Sequence, residues 1–241
     1  MTIRAITFDF WCTLFRDADS GKRHALRVNA LCAATGAEPD AAGEALREAQ
    51  REFLRSHIED QRTLTPRHAV DMACQTLGVA VAEETAEDLA RVFGEAVIHY
   101  SPVPIDGAAE AVAAAAARLP IGIVSDTGMS PGSSLRVLLR RHGMLEPFGA
   151  LAFSNEVGVA KPQAAMFERA AAGLNVSPPE ILHIGDLEPT DILGIKRLGG
   201  MGALFAGDND RFTRETTADL TFPHWRDFVV WLETADIRPA R

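Results

Sequence analysis

The segment Ile3–Phe10 is a short apolar run of strand type that carries a carboxylate, Asp9, near its C-terminal end, and no second strand follows it for most of a hundred residues. From Lys22 to Tyr100 the pattern is helical throughout. Ala42, Leu46, Ala49 and Phe53 fall on one face of a helix, and Glu48, Arg51, Glu52 and Arg55 take the opposite, solvated face. Val70, Cys74 and Leu77 repeat the apolar spacing between a start signal at Pro66 and a stop at Gly78, and Leu89, Phe93 and Ala96 repeat it again. This block predicts about four helices and no strand.

From Ile105 onward the texture alternates. An alanine-rich helix over Ala108–Leu119 leads into a strand at Ile121–Val124. Helices are predicted over Ser133–His142 and Pro162–Ala172, each stopped by a glycine, with strands at Ala150–Phe153 and Ile181–Ile184. A further helix runs to Leu198 before Gly199-Gly200, and Ala203–Phe205 is a last short strand. Alternation of this kind implies βαβ units and a parallel sheet. Ile3–Phe10 most simply joins that sheet, which makes the helical block an insertion. The domain reading is a core of residues 1–16 and 105–241 and a helical domain of residues 17–104. Arg16–Gly21 is the polar outgoing connection, and Ser101-Pro102-Val103-Pro104 the stiff return linker. Phe222, Trp225, Phe228 and Trp231 follow a spacing of three and predict the buried face of a closing helix.

Charge and cysteine content narrow the function classes. A net charge of −9 argues against nucleic acid or an anionic membrane as partner. The three cysteines, Cys12, Cys32 and Cys74, form no C-x-x-C pair and suggest neither a disulfide framework nor a zinc site. With no basic-then-apolar leader and no long apolar run, a cytoplasmic location is expected.

Chemistry gathers at the strand ends. Ser125-Asp126 follows one strand, Lys161 stands before a proline-led helix, and Asp186 and Asp191 flank a loop entering another helix. In a parallel sheet these ends share one edge with Asp9, where open α/β sheets bind ligands. Two carboxylates such as Asp9 and Asp186 repel unless a divalent cation joins them, and oxygen donors in that set suit Mg²⁺. Lys161 offers a point charge for a phosphoryl oxygen and Ser125 a hydrogen bond for another. A carboxylate nucleophile would split phosphate hydrolysis into two easier steps. Lys161 is one of only three lysines in the chain, which weighs against filler.

The order Asp9 and Thr13, then Ser125, then Lys161-Pro162, then Gly185-Asp186 with Asp191 resembles the haloacid dehalogenase (HAD) superfamily of hydrolases. The resemblance spans the chain in motif order, and the helical insertion looks like that family's α-helical cap. It implies an α/β fold with a Rossmann-like doubly wound parallel core and an inserted all-α cap that closes over the substrate and sets specificity. It also implies Mg²⁺ dependence and, usually, phosphatase activity on a small phosphorylated molecule, the chain acting as a monomer or homodimer. By the same resemblance Asp9 is the nucleophile, and Ser125 and Lys161 hold the phosphate, with Asp126 beside them. The metal is held by Asp9, the backbone carbonyl of Trp11, and Asp186, supported by Asp191.

The pattern breaks at Trp11. Phosphatases of the family usually carry there the aspartate that protonates the leaving group, and an indole cannot replace it. Three readings of this residue stand side by side: a phosphohydrolase confined to good leaving groups or drawing its acid from elsewhere, with Asp126 a stand-in; a dehalogenase, whose halide needs no proton and whose family members carry an aromatic residue at this position; and a non-catalytic binding protein. Cys12 reads as a small packed residue, His183 as a packed strand residue, and Arg23, His24 and Arg27 as a solvated helix face.

Overall fold

The first strand, β1 (Ala5–Phe8), is buried along its whole length, as an apolar strand covered on both faces must be. The structure is a computed structural model and describes residues 2–235 and Ile237. In chain order the remaining elements are β2 (Phe15–Arg16), α1 (Ser20–Thr35), α2 (Pro39–Ile58), α3 (Pro66–Leu77), α4 (Glu83–His99), β3 (Val103–Pro104), α5 (Ala108–Ala116), β4 (Ile121–Ser125), α6 (Gly132–Arg141), β5 (Phe148–Phe153), α7 (Ser154–Val157), α8 (Ala164–Gly173), β6 (Ile181–Gly185), α9 (Leu193–Arg197), β7 (Met201–Phe205), β8 (Leu220–Phe222) and α10 (Trp225–Thr234). The chain clusters into two units, one of Met1–Asp17, Val103–Asp126 and Leu139–Arg241, the other of Ala18–Pro102 and Thr127–Leu138.

The first unit holds a six-stranded sheet in the order β5-β4-β1-β6-β7-β8, every pair parallel. This is the doubly wound, Rossmann-like α/β architecture. β1 lies in the middle with Phe8 level with Ile123 of β4 and Ile184 of β6, so the residue after Phe8 emerges between two neighbouring strand ends. One face of the sheet is covered by an apolar cluster that joins Ala5, Val124 and Ala152 to Met166, Phe167 and Ala170 of α8 and Ile195 of α9. The other face is aromatic. Phe8 meets the rings of Trp225 and Phe228 at 5.7 and 6.0 Å, and Trp225 stacks on Phe205 at 4.4 Å. The buried Trp225 indole also donates through Nε1 to the carbonyl of Thr13 at 3.0 Å, which ties α10 to the turn after β1.

Several boundaries differ from the sequence reading. The segment 101–104, read as a linker, contributes β3, which pairs antiparallel with β2. The helix expected from Pro162 begins at Ala164. The one expected to run up to Leu198 is a π-helical turn, Glu188–Ile192, followed by the short α9. Phe222 lies in β8, a strand too short to leave a sequence signal, and only the residues from Trp225 onward form the closing helix.

The second unit is helical. Leu31 of α1, Ala42, Leu46 and Ala49 of α2, Val70 and Cys74 of α3 and Leu89 and Phe93 of α4 make its core. Gly78 ends α3 at φ 66°, the left-handed value that favours glycine. Ser134 donates to the Gly94 carbonyl at 2.9 Å, and Met129 packs on the core, so part of 127–138 belongs here. The expectation of a solvated face at Arg23 and Arg27 is overturned, because both are buried. Arg23 donates to the Tyr100 carbonyl at 2.8 Å and Arg27 to the Phe93 carbonyl at 3.0 and 3.1 Å. Both guanidiniums thus serve backbone carbonyls, one within α4 and one at the residue that caps its end, a use that charge patterning alone does not reveal. Among the described residues no helix is long and apolar enough to cross a membrane.

The aromatic face gives a direct test. Trp225→Ala removes a buried ring and leaves Thr13 without its donor, and should destabilise the protein by about 3–5 kcal/mol in urea denaturation. Val230→Ala, on the exposed side of the same helix, should cost far less.

Candidate active site

The site is built where β1 runs out. The Asp9 amide makes one more sheet-like hydrogen bond, to the Ile184 carbonyl at 2.8 Å, and the backbone then turns. That turn is tight: Leu14 and Phe15 both donate to the Phe10 carbonyl at 3.0 and 2.9 Å, and Cys12 stands at φ 54°, a left-handed value costly for a residue with a side chain. Trp11 is half-buried there, edge-on to Phe10 at 5.2 Å.

The other side chains arrive from loops at the same sheet edge. Lys161 precedes α8 and is 2% exposed. Its Nζ donates to Asp9 Oδ1 at 2.8 Å and to Asp191 Oδ1 at 2.5 Å. Asp126, just past β4, accepts the Lys161 backbone amide on Oδ1 at 2.9 Å and so fixes the lysine from below. Asp191 sits in the π-helical turn after β6 and folds back over Gly185. A Cβ on Gly185 would lie 2.3 Å from Asp191 Cγ, so the position accepts glycine only. Asp191 also accepts the Leu187 amide on Oδ2 at 3.0 Å. One oxygen from each of Asp9, Asp186 and Asp191 lies within 4.8 Å of the others, and all three are buried.

Ser125 ends β4 beside this group and is buried, but among the described residues neither its hydroxyl nor the Trp11 indole makes a hydrogen bond to the carboxylates. Two residues that sequence reading did not assign touch the site directly. His183, as expected, is a packed strand residue, with its ring edge-on to Phe167 at 5.2 Å. It nevertheless places Nε2 3.0 Å from Asp191 Oδ1 and Nδ1 2.9 Å from Thr7 Oγ1. Against the carboxylate the Nε2–H donates, and so braces Asp191. Asn209, in the segment after β7, donates Nδ2 to Asp186 Oδ2 at 2.6 Å. Strand alternation could have flagged His183 as facing the Asp9 strand; nothing in the sequence marks Asn209.

The electrostatics follow from burial. Asp9 and Asp191 both pair with the single Lys161 ammonium, and Asp186 joins their cluster, so the group holds more carboxyls than ammoniums. Burial would depress the Lys161 ammonium, but Asp191, Asp9 and Asp126 together hold it charged well above its ordinary range. Burial would likewise raise Asp191, and Lys161 and His183 outweigh it and hold this carboxyl ionised. Asp9 is raised, by burial first and against the pull of Lys161. Asp186, where burial is joined by repulsion from Asp191 and Asp9, is pushed up to about 8. Burial and the nearby acids push the Cys12 thiol up to about 12, so it stays protonated and unreactive. This donor set fits a hard divalent cation: all oxygen, buried, and with more carboxyls than cationic partners.

A family model of haloacid dehalogenase-like hydrolases matches residues 3–199. The chain belongs to that family. Among curated HAD-like relatives, the pyrimidine 5'-nucleotidase YjjG of Escherichia coli (strain K12) is 38% identical over 93 residues, which cover 38% of this chain and 40% of that protein. The match therefore spans less than half of the relative. The putative HAD-hydrolase YfnB from Bacillus subtilis, solved bound to magnesium, is 18% identical with a TM-score of 0.67, covering 96% of this chain and 99% of that one. The L-2-haloacid dehalogenase from Xanthobacter autotrophicus is 20% identical with a TM-score of 0.60, covering 96% and 99%. At those identities the two structures establish a shared fold.

The raised carboxyls make the metal-free protein pH-sensitive. An unfolded Asp186 ionises near 3.8, whereas the folded one keeps its proton to about 8, so between these values folding takes up a proton and stability falls as pH rises. Asp191, held low, and Lys161, held high, contribute a constant amount across that window, and the lowered His24 acts with the opposite sign. Urea denaturation in chelator at several pH values, wild type minus Asp186→Asn, isolates the acid: the difference should decline from about pH 5 to 8. A flat difference would mean that Asp186 is ionised in the metal-free fold.

Proposed function

We propose that this HAD-like hydrolase cleaves a small phosphate monoester with Mg²⁺ bound, through a phosphorylated Asp9. The observation that carries this reading is the buried Asp9 carboxylate, hydrogen-bonded to Lys161 at 2.8 Å and within 4.8 Å of the oxygens of Asp186 and Asp191. The match to part of a nucleotidase supports phosphate ester chemistry, and the magnesium bound to a protein of the same fold supports the cation. Asp9 and Asp186 would hold Mg²⁺ with the Trp11 carbonyl, while Asp191, already occupied by three donors, supports the site by holding Lys161. When bound, the ion would offset the repulsion between an anionic nucleophile and an anionic phosphate.

The chain's own groups then have defined tasks. Lys161 uses two of its N–H bonds on Asp9 and Asp191 and keeps a third for a phosphoryl oxygen. Ser125 would donate to another. An Asp9 oxygen forms a bond to phosphorus as the bond from phosphorus to the ester oxygen breaks, and that oxygen leaves with the electron pair. Water then bonds to phosphorus, the Asp9–O–P bond breaks, and inorganic phosphate and the free carboxylate result. With Trp11 where an acid would stand, the leaving oxygen departs as an anion or takes its proton from solvent.

Trp11 favours a second reading, attack of Asp9 on a carbon bearing halide, because halide leaves without a proton. The three-carboxylate set weighs against it, since displacing halide makes no use of a dication.

Two experiments test the proposal. Asp9→Asn should lower Mg²⁺-dependent aryl phosphate hydrolysis by at least about 10³-fold, as loss of a nucleophile does; activity equal to wild type sinks the covalent route. Because general acid catalysis contributes about 10²–10⁴-fold, rates across a series of phosphate esters should drop steeply as the leaving-group pKa rises, and Trp11→Asp should raise alkyl phosphate turnover by about 10²-fold. Chelator-insensitive chloride release from haloacids, with no phosphate release, would decide for the dehalogenase.

A further inference from the structure

The segment between β7 and β8, residues 206–219, has no role in the motif pattern, yet it is pinned along its length. Glu188, a buried carboxylate on the π-helical turn, accepts the hydroxyls of Thr216 and Thr217 at 2.6 Å each and the Thr217 amide at 3.0 Å. Lys196 of α9 donates to the Thr217 carbonyl at 2.6 Å and to Asp219 Oδ1 at 3.0 Å, and Asp219 Oδ2 accepts the Gly202 amide at 2.9 Å. At the other end Ala206 donates to the Phe222 carbonyl at 2.9 Å.

Two successive residues of this held segment are tied to the first unit, one of them to the acid cluster itself. Asp208 pairs with Arg16, in the stretch that follows Asp9, at 3.1 Å. Asn209 donates Nδ2 to Asp186 Oδ2 at 2.6 Å. Its amide cannot turn over freely, because its Oδ1 accepts the Arg211 backbone amide at 3.3 Å, so the donor end is the one presented to Asp186. A surface asparagine making a chance contact would need neither the buried Glu188 clip nor the fixed amide. A hydrogen bond held on one oxygen restricts rotation about the carboxylate's last bond, and so favours one direction for its second oxygen before any ion arrives.

We infer that Asn209 is a positioning residue that fixes the Asp186 carboxylate for a divalent cation, with the Glu188 clip holding the segment that carries it. The inference rests on the reading above, in which Asp186 is a metal ligand.

Calorimetric titration of Mg²⁺ into the full chain without substrate tests it, using wild type, Asn209→Ala, Asn209→Gln and Asp186→Asn, with the melting midpoint of each recorded in chelator. Loss of such an outer partner weakens metal binding roughly 10–100-fold. Asn209→Ala should show that loss with the chelated protein melting as wild type does, and Asn209→Gln, which keeps the amide, should recover part of it. Wild-type affinity in Asn209→Ala alongside lost binding in Asp186→Asn overturns the inference and leaves the site reading standing. Equal loss in the Ala and Gln variants with a lowered midpoint marks a purely structural role and also overturns it. Wild type that binds no Mg²⁺, or Asp186→Asn that binds as wild type does, removes the site reading and the inference with it.

Discussion

A lone ammonium buried among carboxylates organises this protein. Lys161 is kept charged out of water by the carboxylates around it, Asp9 and Asp191 both hydrogen-bonding to it, and Lys161 together with His183 keeps Asp191 ionised. The balance is deliberately incomplete. Asp186 adds a third carboxylate that the lysine cannot neutralise, and the excess has two outlets: a proton on the raised acid, or a divalent cation. In the proposed metal-loaded protein, proton and cation would compete for one position.

Holding such a cluster requires a rigid frame, and the sheet provides it. β1 is central, buried on both faces, and gripped on one side by α8 and α9 and on the other by the ring stack of Phe8, Trp225 and Phe228. None of those residues touches substrate chemistry, but they settle where Asp9 emerges. The loops add the remaining groups under tight steric terms. Asp191 reaches Lys161 only because Gly185 has no side chain, and Lys161 is aimed by Asp126 holding its backbone. His183 and Thr7, both interior strand residues, extend the network beneath the carboxylates and make the sheet part of the site.

The strand–helix alternation, the parallel sheet and the helical insertion were all readable from hydrophobic periodicity, because long periodic segments bury one face whatever surrounds them. The elements that escaped were short and locally weak: β2 and β3, β8, and the π-helical turn, whose conformations are decided by neighbours rather than by their own residues. The buried positions of Arg23 and Arg27 escaped for a related reason. A guanidinium is at home in the interior where backbone carbonyls await it, and charge along a helix does not report that.

The same division runs through the site. Residue order alone marked Asp9, Lys161, Asp186 and Asp191 as partners, since the ends of parallel strands must share one edge, and the family resemblance marked Trp11 as the break in the pattern. Which oxygen meets which nitrogen was a matter for the tertiary structure. It made Asp191 the holder of the lysine, turned Asp126 to a backbone amide, and brought Asn209 from a segment without a motif onto Asp186. Order along the chain selects which strand ends and loops can meet, while hydrogen-bond geometry depends on how those loops pack once the sheet has formed.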